Sequence, residues 1–89
     1  MDELRHEDFA PHVDKLFRFE GWHGALRLTA IESCELPRPF TLLFEGPPAD
    51  IVPEGLYTAV VDDAFRFQLY IMPIHTATAG RQDYQAVFN

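Results

Sequence analysis

The chain has 89 residues, of which 47% are apolar and 13% aromatic, with 14 Asp and Glu against 7 Lys and Arg and a formal net charge of −7. That length allows one small domain, 1–89. The acidic balance excludes a basic face able to replace the counterions of nucleic acid or to bind anionic lipid, and the apolar content is too high for a disordered acidic tail.

Residues 1–14 are polar and acidic, and Glu7, Asp8 and Phe9 suit one short helical turn that Pro11 limits. Phe9 and Val13 are i, i+4 neighbours in such a turn and suit the end of a core. From Leu16 the pattern becomes that of strands. Phe17 and Phe19 alternate with Arg18 and Glu20, and Gly21-Trp22-His23-Gly24 is a natural turn. A second strand runs from Ala25 to Glu35 with Leu26, Leu28 and Ala30 on one face; the alternation slips at Ala30-Ile31, where a β-bulge restores it. Leu36-Pro37-Arg38-Pro39 reads as a stiff loop, and Phe40, Leu42 and Phe44 form the next inward row.

Gly46 to Gly55 carries Pro47, Pro48 and Pro53 and reads as an ordered loop. Leu56 to Val61 is a strand without a clear facing. Asp62-Asp63-Ala64 makes a tight hairpin connection. Phe65, Phe67, Leu69 and Ile71 give the cleanest alternation in the chain, and Pro73 is expected to end that strand. Ile74 to Asp83 reads as a loop and Tyr84 to Phe88 as the last strand. Seven of the eight phenylalanines fall on strands.

These elements predict an all-β domain. The expected architecture is a six-stranded antiparallel meander closing into a small barrel, with a short N-terminal helical turn; a two-layer sandwich is the alternative. One set of apolar residues does not fit the barrel interior. Leu43, Leu56, Val60, Tyr70, Met72 and Val87 fall mostly on the outer face, where they predict either an interaction surface or a covering segment. Trp22, at a turn, is either an exposed anchor or a lid folded back over the barrel mouth. Tyr57 and Tyr84 are expected at the core edge, ring buried and hydroxyl in water.

Motifs for chemistry are sparse. His6 and His12 stand six apart, His23 and His75 are isolated, and neither an H-x-x-x-H nor a C-x-x-C spacing is present. Ser33 is the sole serine and lies outside any G-x-S-x-G elbow. Cys34 is the sole cysteine, which precludes an intrachain disulfide and suits a small buried or edge residue better than a reactive thiol. Asp62-Asp63 is explained by its turn. The sequence therefore assigns no catalytic residue, no cofactor and no metal. It contains neither the apolar core of a signal peptide at Met1–Arg5 nor an 18-residue apolar run, so a cytoplasmic protein is the simplest expectation.

Three segments, Pro39 to Pro47, Pro53 to Tyr57, and Tyr84-Gln85-Ala86-Val87-Phe88-Asn89, resemble a family of small bacterial proteins of unknown function. Asp8-Phe9-Ala10-Pro11 and Met72-Pro73-Ile74 fit it too. The resemblance spans nearly the whole chain and implies a bacterial, single-domain, mainly-β protein without assigned catalytic residues. It also implies a loose association with genes near phage-tail-like collars. The chain departs from the family at Asp14, where glycine is usual, and at Ala64-Phe65, which lacks one. The expected function is a non-catalytic protein-interaction or assembly module, with a protein partner or a homo-oligomer and with Leu43, Tyr70, Met72, Val87 and Trp22 as candidate surface residues. A small-molecule-binding barrel and a component of a phage-tail-like assembly are the alternatives.

Overall fold

The period-two alternation of apolar and polar side chains builds six strands: β1 Leu16–Phe19, β2 Ala25–Ser33, β3 Phe40–Gly46, β4 Gly55–Val61, β5 Phe65–Ile74 and β6 Gln82–Phe88. They follow a one-turn helix, α1 (His6–Phe9), which leads into a 3-10 turn at Ala10–His12. The computed structural model describes residues 4–33 and 39–88. Cys34, the expected end of the second strand at 34–35 and the expected loop at 36–38 lie outside the described residues.

The strands form a closed antiparallel barrel in the order β1-β2-β3-β6-β5-β4. Barrel closure, strand number, antiparallel pairing and the N-terminal turn match the sequence reading. The meander order does not. Here β4 returns beside β1 and β6 beside β3, giving two interlocking Greek keys. As a result β3 and β4 stand on opposite sides of the ring, and the segment joining them must cross one mouth of the barrel.

That crossing segment, residues 47–54, plugs the mouth. Val52 is fully buried, and its N–H donates a 2.9 Å hydrogen bond to the buried hydroxyl of Tyr84 on β6. Tyr84 is thus an interior residue, not the wetted core-edge residue its type suggests; the plug supplies the partner that water would otherwise provide. Tyr57 keeps the expected placement, half-buried, with its hydroxyl donating to the Pro53 carbonyl at 2.7 Å.

The other mouth is sealed by the N-terminal turn. The backbone N–H of Arg5 donates to the Asp8 carboxylate at 2.8 Å, fixing the start of α1. This aims Phe9 into the barrel, where its ring meets Phe40, Phe65, Phe67 and Phe88 with centroids 4.8–5.8 Å apart. Burying a side chain of this size contributes about 1.5–3 kcal/mol.

Three local expectations shift. The bulge in β2 falls at Thr29, between Leu28 and Ala30, so Ala30 turns outward beside Leu43 and Ile31 turns inward beside Leu42. β5 continues through Pro73, because pairing with β4 stops at Ile71 and the proline is held from the β6 side alone. β6 begins at Gln82, two residues before Tyr84.

Candidate functional site

The barrel interior is packed with Phe17, Phe19, Leu26, Leu28, Phe44, Leu69 and Ile71, each nearly or fully buried. One wall of the barrel differs from the rest.

Outward side chains of β4, β5, β6 and β3 line up through the strand register. Leu56 stands opposite Tyr70, Met72 opposite Gln85, and Gln85 opposite Leu43, while Val87 stands opposite Thr41. Leu56 is 64% exposed, Tyr70 48% and Val87 46%. Tyr70, Met72, Gln85 and Val87 line a groove of about 250 Å³. The amide nitrogen of Gln85 lies 3.7 Å from the thioether sulfur of Met72, a weak acceptor. Thr58 and Gln68 continue the outward row of β4 and β5 with uncharged side chains, and the Glu54 carboxylate stands at its edge beside Tyr70. Where β5 and β6 meet behind the groove, their ladder among the described residues runs over three pairs, Met72 to Ile74 against Gln85 to Asp83.

The structure brings together four of the candidate residues: Leu43, Tyr70, Met72 and Val87 share this wall. It sets two others apart. Val60 is buried, 5% exposed, because Arg18 and Arg66, its cross-strand neighbours, lie over it. Trp22 stands on the β1–β2 hairpin, half-buried and packed on the core. Its ring lies over Gly24, where a Cβ would come within 2.7 Å of the indole. Trp22 is therefore a folded-back lid, not an exposed anchor, and the turn needs Gly24 for this close approach and Gly21 for its φ of 87°.

The hydroxyl of Tyr70 donates to the Glu54 carboxylate at 2.6 Å, which raises the phenol above its usual range. This bond ties the wall to the plug. Gln85 and its groove were missed by sequence reasoning; the signal was its outward place between two inward residues, Tyr84 and Ala86, in an otherwise apolar run.

Elsewhere on the barrel, including the far ends of β3 and β6, several outward charges are paired with one another. Glu45 and Asp83 stand directly opposite one another on β3 and β6, an arrangement that alone repels. Arg81 bridges them, 3.6 Å from Glu45 and 2.9 Å from Asp83, and Arg27 pairs with Glu45 from the other side. Arg18 pairs with Asp63 and Arg66 with Glu20. Near the N-terminal turn, Lys15 donates to Asp62 at 2.6 Å and holds its carboxyl below the usual range, with His12 3.5 Å from the same oxygen.

The histidines are dispersed. His6 packs edge-on against Phe40 and His12 stacks on Phe65 at the sealed end, while His23 contacts Asp50 at the plugged end. Among the described residues there is no group of three or more His, Cys, Asp or Glu side chains able to hold a metal ion, and no helix is long and apolar enough to cross a membrane.

A family model, Domain of unknown function (DUF6916), matches residues 4–88. The chain belongs to this family. The match covers the whole barrel together with the N-terminal turn, so the family unit is the fold described above. No curated protein and no solved structure matches the chain.

Proposed function

We propose that this domain is a non-catalytic interaction module that works through the outward side chains of β4, β5 and β6 around the groove of Tyr70, Met72, Gln85 and Val87. One observation carries the reading: three large apolar side chains, Leu56, Tyr70 and Val87, are about half exposed or more on the neighbouring strands β4, β5 and β6, where Tyr70 and Val87 line one groove. Interaction surfaces are enriched in Tyr and Met and depleted in Lys, Glu and Asp at their centres. Scattered single apolar residues need no explanation, but a registered set does. The non-catalytic part rests on the site chemistry. The described histidines that contact rings or carboxylates do so at opposite ends of the barrel, and Arg18, Arg27, Arg66 and Arg81 are engaged in ion pairs, so no acid, base and nucleophile are seen to converge among the described residues. The packed interior argues against a ligand held inside the barrel, in keeping with the small bore of six strands.

Photo-crosslinking tests the reading. A photoreactive amino acid replacing Leu56 or Val87 is expected to give a discrete protein adduct in cells, and the same group replacing Arg27 on the charged wall is expected to give none. Adducts from position 27 alone, or from none of the three positions, overturn it.

A further inference from the structure

We infer that the plug, residues 47–54, is a strap latched by the charge of His23, so that it opens more often as pH rises through the range in which histidine loses its proton. The strap works in this way whether or not the groove holds a partner.

The plug is lightly attached. Val52 is its one buried side chain, and among the described residues no backbone–backbone hydrogen bond ties 47–54 to a strand. Side chains hold it instead. Tyr84 accepts from the Val52 N–H, Tyr57 donates to the Pro53 carbonyl, Tyr70 donates to Glu54, and His23 Nε2 meets the Asp50 carboxylate. A segment with so few buried apolar contacts opens locally at a lower cost than global unfolding. Three of these four anchors are phenol hydroxyls, a group that ordinarily stays neutral until about pH 10. The fourth is an imidazole, the side chain whose charge ordinarily changes between about pH 5 and 8.

The β1–β2 hairpin presents His23 from a fixed post. The Trp22 N–H donates to the Phe19 carbonyl at 3.1 Å, and the indole packs on the core with its centroid 5.0 Å from that of His23. Arg18 and Glu20 from β1 and Arg66 from β5 line the pocket shared with His23. Arg18 pairs with Asp63 and Arg66 with Glu20, which leaves Asp50 as the carboxylate that the imidazole meets. Carboxylates and guanidiniums ordinarily keep their charge above about pH 5.5. Protonated, His23 donates a charge-assisted hydrogen bond to Asp50; neutral, it keeps at most an ordinary one. The latch is therefore complete on the acid side of the histidine range and is lost on the alkaline side. His23 is 70% exposed and Asp50 46%, so the pair is screened and changes the opening equilibrium by about two- to fivefold.

Amide hydrogen exchange of the full chain, read residue by residue by NMR from about pH 5.5 to about pH 8, tests this. The Val52 N–H cannot exchange until the plug lifts from Tyr84. Its protection factor, which already corrects for the intrinsic pH dependence of exchange, is expected to fall about two- to fivefold across that range relative to the amides of β3 and β6. His23→Gln and Asp50→Asn are each expected to remove the fall, and His75→Gln, in the loop after β5, is expected to keep it. Wild type in about 1 M salt is expected to lose most of the fall, because exposed pairs are screened, and this reading needs no substitution. A Val52 protection factor that stays level with pH, a fall that survives both His23→Gln and Asp50→Asn, a fall removed by His75→Gln alone, or one unmoved by salt overturns the inference.

Discussion

The backbone N–H of Val52 and the phenolic oxygen of Tyr84, 32 residues apart in sequence, meet at 2.9 Å inside the barrel mouth. Each is the buried polar group that the other satisfies. The pair anchors the plug to β6 and accounts for a tyrosine in a position otherwise reserved for phenylalanine.

Tyr84→Phe leaves the Val52 N–H buried and unpaired, at a cost of about 1–3 kcal/mol. Tyr57→Phe, which removes a bond at an exposed position, is expected to cost less than half as much. Urea unfolding of the two variants checks the difference. Equal losses would mean the plug is not held by this bond.

The same pair predicts alkaline sensitivity. Burial pushes the Tyr84 phenol above its ordinary value near 10, and the bond from the Val52 N–H offsets part of that rise. The folded state therefore favours the neutral phenol. The stability it contributes is complete below pH 10 and is lost as pH rises through the raised value. Thermal melts between about pH 8 and pH 11 are expected to fall more steeply for wild type than for Tyr84→Phe.

Asp14 and Asp63 have φ of 75° and 55°, in the left-handed region that favours glycine. Asp14→Gly is expected to stabilise the domain by about 0.5–1 kcal/mol. Asp62, φ 58°, and Asp63 are poorer choices, because their carboxylates hold Lys15 and Arg18. A lower melting temperature of Asp14→Gly would contradict the assignment of strain.

Phe9 closes the end of the barrel opposite the plug. Phe9→Ala removes a fully buried ring that meets four others and is expected to cost about 3–5 kcal/mol. In a domain this small, such a loss approaches the whole stability. Denaturant unfolding and near-ultraviolet circular dichroism would show it. A variant as stable as wild type would mean the N-terminal turn is an accessory to the core.

Removing Gln85 to Asn89, which takes away most of β6, is expected to abolish the cooperative melt. β6 pairs with β3 over seven residue pairs and with β5 over three, so its loss opens the barrel on two sides. A truncated chain that still melts cooperatively would sink this expectation.

Much of the wall was readable from residue type and parity. Leu43, Tyr70, Met72 and Val87 are apolar at outward positions, and strand alternation is enough to find them. Trp22 and Val60 were not separable from them by the same reasoning. Whether an outward apolar residue is covered depends on which side chains stand next to it across strands: Arg18 and Arg66 for Val60, the hairpin's own glycine for Trp22. Gln85 escaped notice because a lone polar residue in an apolar strand has no meaning until its neighbours are known.

By itself the sequence determined the number of strands, the inward phenylalanine rows and the helical turn that carries Phe9, and it announced a bulge in β2 near, but not at, the Thr29 position where it falls. Each of these is a local property, set by side-chain parity, by proline and by glycine within a few residues. Only the tertiary structure decided the order around the ring, the crossing of residues 47–54 over the mouth, the bond between Val52 and Tyr84 and the groove that Tyr70, Met72, Gln85 and Val87 share. Those depend on which distant strands pair when the sheet closes, and period-two alternation leaves that choice open, because a meander and a pair of Greek keys bury the same faces.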